Sequence, residues 1–394
     1  MYKLEIKLKQ HTPLIHFQHD QEGATLRASE VKPKLDQFII QNGQTLLEEM
    51  FNDDELYETD KKYNSFVNQV LFSEQKTSFQ YKLSIKNDSD RIDRFIVTSL
   101  ISRSQAEEYK KNGYKVLSKT PYFADNKVIK DARTGDKSID DAKLGIMLQE
   151  GNTVNLTFRF FDPFWKLFLE RILPVFFAAT NFGTRQNKGF GCFYPINKTQ
   201  QDFEYNLFEA FFPVVYCSSI PEPDLNRVFS KIDSLYKKLK SGERGSDSEL
   251  RKYFNNKSPI IEWEKPAIQK KISEISYQRI RIDSRTDNIQ FVRAILGLPE
   301  LYEYPRQNMK VKIKYENEDI QRYPSPILFK VFDNYIYILP VVTNSLLADK
   351  SFKFEFVDNR GTHGNRLMLK IPQEFDISDF LKVSMSLQRQ WIKI

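Results

Sequence analysis

The sequence predicts an α+β protein built as two successive domains. Three observations carry this. Residues 2–9, YKLEIKLK, alternate with a period of two, the pattern of a half-buried strand. Residues 164–182, FWKLFLERILPVFFAATNF, are apolar around most of a helical wheel, which marks a helix buried against a sheet. From about residue 203 the succession of strand-like and helix-like segments begins again. The seam falls near 198–203 and gives domains of 1–198 and 199–394, ordinary sizes for single domains.

In the first half, Tyr2, Leu4, Ile6 and Leu8 of the opening strand point one way. A polar loop, HTPLIHFQHDQEG, follows. A helix then begins in SEVKPKLDQFII, with Ser29 as N-cap and Pro33 in the first turn. Val31, Leu35, Phe38 and Ile39 share one face of it. FQYKLSI (79–85) predicts a second strand. Residues 104–147 are polar, with NG and TG turn signals, and predict a long exposed excursion. TVNLTFRFF (153–161) is a strand, and Pro163 opens the apolar helix, which Pro174 is expected to kink or end midway. A glycine loop and a short strand, CFYPI, close the half. The order is that of a split βαβ, or ferredoxin-like, domain with a long insertion.

In the second half, FEYNLFEAFFPVVYC (203–217) is strand-like and PEPDLNRVFSKIDSLYKKLK is a helix with Pro at its start. RAILGLPELYEY ends a helix at Gly297. MKVKIKY, SPILFKVF, YIYILPVV and FKFEFV are strands, and FDISDFLKVSM is a last helix.

Composition limits the chemistry. Lys and Arg number 59 against 52 Asp and Glu, a net charge of +7, which permits an anionic partner. Two cysteines, Cys192 and Cys217, make neither a disulfide framework nor a CxxC zinc pair. The charged, alternating start is no signal peptide. The longest apolar run, Phe160 to Ala179, is interrupted by Asp162, Lys166, Glu170 and Arg171 and does not suit a bilayer. The expectation is a cytoplasmic protein with no membrane partner.

No catalytic, metal or cofactor site is expected. His16 and His19 are spaced HxxH, without a Glu-bearing helix or cysteine pair beside them. No Ser or Thr follows the Lys188–Gly189 pair, so the loop is no ATP-binding P-loop. No GxSxG elbow occurs. The acidic clusters at 52–60 and 136–141 read as solvated loops. The enzymatic alternative is a metal-independent endoribonuclease using His11, His16 or His19 as general acid or base. Spacing identifies no second acid–base partner for it.

The most specific feature is the loop Gly183-Thr-Arg-Gln-Asn-Lys-Gly-Phe-Gly191. Its glycines allow positive φ and close approach. Arg185 and Lys188 bring cations, and exposed amides on such a loop can cradle phosphate oxygens. A tight helix-to-strand turn would explain Gly183 but not the basic cluster. KGFGCFY partly matches the RNP1 signature of RNA-recognition motifs, but Cys192 stands where a stacking aromatic belongs.

This loop resembles the glycine-rich loop of the RAMP (repeat-associated mysterious protein) superfamily. Residues 12–39, with Thr-Pro-Leu after the first strand and then Leu-Arg, Ser and a Lys-bearing helix, resemble the superfamily opening. LGLPELYEY with RYPSPILFKVF (296–304 and 322–332) resembles the second-domain signature of first subunits of type III-B (Cmr) CRISPR effectors. Residues 43–150 match nothing in the pattern, and His16-Phe-Gln-His replaces the usual small residues. The resemblance implies two tandem ferredoxin-like (RRM-like) domains. It implies a non-catalytic subunit that binds guide and target RNA among other RAMP backbone subunits, in antiviral defence. Target slicing would belong to another subunit. The expected contacts are phosphate contacts from Arg27, Lys32 and Lys34 on the first helix and from Gly183, Arg185, Lys188, Gly189 and Gly191 in the loop. Arg322 and Lys330 extend the track into the second half. Phe17, Phe182 and Phe190 are aromatics able to stack on bases, with core packing the expected fate of Phe190.

Overall fold

The computed structural model describes residues 1–16, 25–51, 78–98, 101–120, 128–130, 137–139, 143–210, 212–222, 224–243, 246–277, 282, 284–299, 301–315, 325–341, 350–358 and 361–394. The fold is mixed α+β with several antiparallel sheets.

Strand β1 (Tyr2–Gln10) buries Leu4 and Leu8 and exposes Lys3, Glu5, Lys7 and Lys9. β2 (Leu14–Ile15) is short and buried. Helix α1 (Ala28–Phe51) buries Val31, Leu35 and Ile39. It begins ahead of the expected Ser29 cap: Val31 N–H already donates to Arg27 O at 3.0 Å, so Pro33 lies inside the helix. β3 (Lys82–Asn87) and β4 (Ile92–Val97) follow.

The 104–147 region is not a plain excursion. It contains most of α2 (Arg103–Lys111), then β5 (Lys115–Leu117), β6 (Val128–Lys130), β7 (Lys137–Ile139) and the start of β8 (Lys143–Leu148). β5 and β8 join a sheet ordered β2-β8-β4-β5 and bury Leu117 and Ile146. The surrounding charges hid a few apolar residues at strand spacing. The acidic cluster at 52–60 lies outside the described residues, as does the 136–141 cluster apart from Lys137–Ile139.

β9 (Val154–Phe160), α3 (Phe164–Ala179) and β10 (Phe193–Pro195) complete the first sheet, ordered β10-β1-β9-β3 and antiparallel throughout. Numbered along the chain, these strands stand 4-1-3-2, the split βαβ order. Pro174 does not end α3, which runs on to Ala179. Leu173, Val175, Phe176 and Phe177 are all buried around it, and that packing holds the helix against the missing hydrogen bond.

The segment read as strand from 203 is instead a helix and then a strand: α4 (Gln200–Glu209) and β11 (Tyr216–Ser219). A capping box starts α4: Thr199 N–H donates to Asp202 Oδ2 at 2.7 Å, and Asp202 N–H donates to Thr199 Oγ1 at 3.2 Å. Phe203 and Leu207, four apart, are buried beside α3.

The rest runs α5 (Leu225–Lys240), α6 (Glu249–Asn255), β12 (Glu262–Trp263), α7 (Lys265–Ser276) and β13 (Ile289–Gln290). Then come β14 (Leu301–Tyr304), β15 (Met309–Tyr315), β16 (Ile327–Phe332), β17 (Tyr335–Pro340), β18 (Ser351–Asp358), β19 (Gly361–Lys370), α8 (Ile377–Met385) and β20 (Ile392–Lys393). The helix expected before Gly297 is only a 3-10 turn, Val292–Leu296, and Gly297 leaves it with φ of 110°.

A second sheet is ordered β16-β17-β11-β20. In chain order this is 2-3-1-4, the neighbours of the first sheet read from the opposite edge. Its two faces are both buried. Phe329, Val331, Ile336 and Ile338 join Phe229 and Ile232 of α5 in one core. Val215, Cys217, Leu328, Phe332, Tyr337 and Leu339 join the core of the first half. Phe203 of α4 stacks on Phe332 at 4.8 Å and lies 4.9 Å from Tyr337.

Candidate nucleic-acid interface

The glycine loop runs between α3 and β10, and its backbone is spent on the protein itself. Thr184 N–H donates to Ile15 O at 2.8 Å and Gly191 N–H to Pro13 O at 2.9 Å. Gly183 N–H donates to Glu30 Oε1 of α1. Lys188 and Gly189 N–H turn back to Arg185 O and Gln186 O. The amides of Gly183, Gly189 and Gly191 therefore do not form a phosphate nest. The glycines are needed for close approach within the fold: a Cβ on Gly183 would meet Ile15 O at 2.5 Å, and one on Gly191 would collide with Phe182 O. Both have positive φ, 77° and 66°.

Three distant sequence segments meet at this loop. The first is the Thr-Pro-Leu opening: besides the bonds above, Thr12 Oγ1 accepts from Cys192 N–H at 2.9 Å. The second is α1: Lys34 Nζ donates to Asn181 O at 2.9 Å and Gln186 Oε1 at 2.5 Å. The third is the Ser-Pro strand, where Asn187 Nδ2 donates to Ser325 O at 2.6 Å and Phe329 N–H to Asn187 O at 3.2 Å. Asn181 Nδ2 adds a bond to Phe329 O at 2.8 Å. The loop is a clasp between the two halves.

The expected cations divide accordingly. Lys330 is a correction: it is wholly buried, and its Nζ donates to Phe177 O at 2.6 Å and Thr180 O at 2.7 Å. Burial lowers its pKa to about 8. Lys188 is also turned inward. Its Nζ is enclosed over the Tyr236 ring with no hydrogen-bond partner among the described residues, and burial, then Lys240 nearby, pushes its pKa far down. Lys34 is lowered by burial, against the opposing pull of Glu30. Lys32 is engaged with Asp36 Oδ2 at 2.7 Å and Phe79 O at 3.0 Å, its side chain 29% exposed. Arg27 and Arg185 stand half-buried, Arg185 with φ of 62°. Arg322 lies outside the described residues. Phe182 and Phe190 are fully buried, Phe190 stacked on Phe229 at 4.1 Å; Phe17 lies outside the described residues.

His11 is buried. Its Nδ1 accepts from Asp333 N–H at 3.0 Å, and desolvation lowers its pKa against the pull of the Asp333 carboxylate. His16 is also buried, and His19 lies outside the described residues. Among the described residues, no three His, Cys, Asp or Glu side chains gather in a way that could hold a metal ion. Among them, too, no helix is long and apolar enough to cross a membrane.

The sequence reading passed over two groups. Lys240 and Tyr236 on α5 back the loop: Lys240 Nζ donates to Gly297 O at 2.6 Å, and burial, then Arg293, lowers its pKa to about 7. The second group is the exposed cations of the first sheet. The alternation that marks β1 as a strand marks them too, as its polar half.

The family model of the Cmr1 N-terminal domain matches residues 1–243, and that of the Cmr1 C-terminal domain matches residues 245–393. The chain belongs to the Cmr1 family. It is thus a RAMP-type chain of the type III-B CRISPR class. The Cmr1 boundary falls after α5, whereas the sequence placed its seam near 198–203. A crystal structure of Cmr1 from Pyrococcus furiosus in its apo form is similar over 100% of this chain and 98% of that chain, at 11% identity and a TM-score of 0.39. No curated protein matches the chain.

Proposed function

We propose that this chain is an RNA-binding, non-catalytic subunit of a type III-B CRISPR ribonucleoprotein in the cytoplasm. It contacts guide RNA, target RNA or both beside other RAMP subunits at the end of the backbone filament, in antiviral defence. The observation that carries the reading is the Cmr1 family match across both halves of the chain. The reading includes two tandem ferredoxin-like domains, divided as 1–198 and 199–394. Two sheets with the same neighbour order support that division. So does a loop whose close-packed glycines join the three segments that resemble the superfamily.

The buried, hydrogen-bonded His11 supports the non-catalytic part. A general acid–base must reach its substrate proton, and this imidazole is enclosed. Arg27 and Arg185, half-buried beside the loop, are the loop-side residues proposed to contact RNA.

The test is reconstitution of the ribonucleoprotein with and without this chain. Retained guide and target affinity in its absence would sink the binding role. Incubating the purified chain with repeat RNA in EDTA tests the catalytic part. Site-specific cleavage, abolished in His11→Ala or His16→Ala, would make it an endoribonuclease.

A further inference from the structure

At the β10 edge of the first sheet both faces are covered: Tyr194, in register with Lys9, is buried against Phe203 of α4 and Phe332. Across β1, β9 and β3 the face away from the core is exposed or half-buried among the described residues, and its side chains stand in rows fixed by strand register. Lys3, Arg159 and Lys82 form one row across β1, β9 and β3. Glu5, Thr157 and Ser84 form the next, and Lys7, Asn155 and Lys86 the third. Lys9 follows on β1. Lys3, Lys7, Lys9, Lys82, Lys86 and Arg159 are all exposed. Among the described residues of these rows, six cations thus stand with one carboxylate, Glu5, which pairs with Lys3 at 2.6 Å. Of the acids at the margin, Asp333 takes Lys9 at 2.6 Å, and Asp88 turns to Thr153 N–H and Oγ1.

Like charges placed directly opposite across strands are destabilising. The row Lys3–Arg159–Lys82 sets three side by side. The face keeps that repulsion in the free protein, and a polyanion laid over it would relieve it. The rows span about 13 Å along the strands, from a rise of about 3.3 Å per residue. The residues between the cations are Ser84, Thr157 and Asn155, small and polar. A protein interface needs an apolar, aromatic-rich centre, and these rows have none. One aromatic stands at the margin: Phe161, next in the alternation after Thr157 and Arg159, is 82% exposed. Cations along a track with an exposed ring beside it are the combination that holds single-stranded nucleic acid without reading its sequence.

We infer that the open face of the first sheet is a docking surface for the sugar–phosphate backbone of single-stranded RNA, held by Lys3, Lys7, Lys82, Lys86 and Arg159, with Phe161 stacking on a base at its end. This rests on the RNA-binding reading and assigns it a surface distinct from the glycine loop. Recognition is through phosphate, so it is indifferent to sequence and steep in salt.

The full-length protein is titrated with fluorescein-labelled oligouridine over a series of KCl concentrations. Beside it runs the variant Lys3→Gln/Lys7→Gln/Lys82→Gln/Lys86→Gln. Each phosphate left without its cation flattens the log–log salt slope by about 0.7, so the four exchanges together flatten it by about 3. Phe161→Ala weakens binding by about fivefold or more and leaves the slope in place. Lys310→Gln/Lys312→Gln on β15 is the control, since Glu303 and Glu355 stand beside those lysines. Melting curves of the variants verify that the fold is intact. Wild-type binding with an unchanged slope in the four-lysine variant would overturn the sheet face and leave the RNA-binding reading standing. Failure of the wild type to bind would bring down both. An unchanged slope together with failure to co-purify neighbouring subunits would make the face a protein interface, and the inference would be wrong.

Discussion

The two sheets share a strand order and differ in what covers them. Among the described residues, the first keeps one face of β1, β9 and β3 open to water. The second is enclosed: α5 lies on one face, and α4 with the first-half core lies on the other. Lysines show the difference best. On β1 they stand in solvent, whereas Lys330 on β16 is buried and bound to main-chain carbonyls at the end of α3. The same residue type is a solvent-facing charge in one sheet and an internal strut in the other. Topology alone therefore does not locate a binding face; the packing of one half on the other does.

The comparison breaks most readily at Phe203. If the second sheet is sealed by α4, Phe203→Ala removes the ring stacked on Phe332 and costs about 3–5 kcal/mol, read as a lower urea midpoint. A loss under about 1 kcal/mol would mean that the face is not sealed there.

Lys330→Met comes next. It keeps the volume but strands carbonyl oxygens in the core, costing about 2–3 kcal/mol. A neutral result would refute the strut.

The pH dependence sharpens the same point. Lys330 has its pKa lowered from 10.5 to about 8 by burial. Between those values the unfolded chain binds more protons than the folded one, so stability rises with pH across that window. The penalty of the buried charge is present in full below about pH 8 and gone above 10.5. Urea midpoints at the two ends of the window should differ less in Lys330→Met than in wild type.

The smallest stability effect belongs to the wet face. Exchanging Lys7 or Lys86 for Gln should move stability by about 0.5 kcal/mol or less, even as the salt dependence of RNA binding changes. A larger loss would show that these side chains pack.

Much of this was legible. YKLEIKLK names a one-sided strand, and ILFKVF and YIYILP, continuous and apolar, name strands buried on both faces. The lone Lys inside ILFKVF was read as an RNA contact, although a cation in a strand buried on both faces is carried into the core. The start of α4 was also written, as Thr199-Gln-Gln-Asp202, but the aromatic run after it mimicked a strand. The role of the glycine loop was not legible. Its partners Pro13, Ile15, Glu30, Ser325 and Phe329 lie far away along the chain, and a basic Gly-rich string looks the same whether its amides are free or taken. The first sheet's cation rows were half visible: β1 shows its own lysines, but only the register brings Arg159 and Lys82 beside Lys3.

The alternating rows of β1, β9 and β3 also separate two kinds of evolutionary freedom. Inward positions answer to packing and tolerate little. Outward positions carry charge and almost no packing duty, so substitutions there can strengthen or weaken the hold on a polyanion at little cost to folding. A lineage could thus retune how firmly it grips its cargo by point changes on a single face, leaving the clasp between the halves untouched.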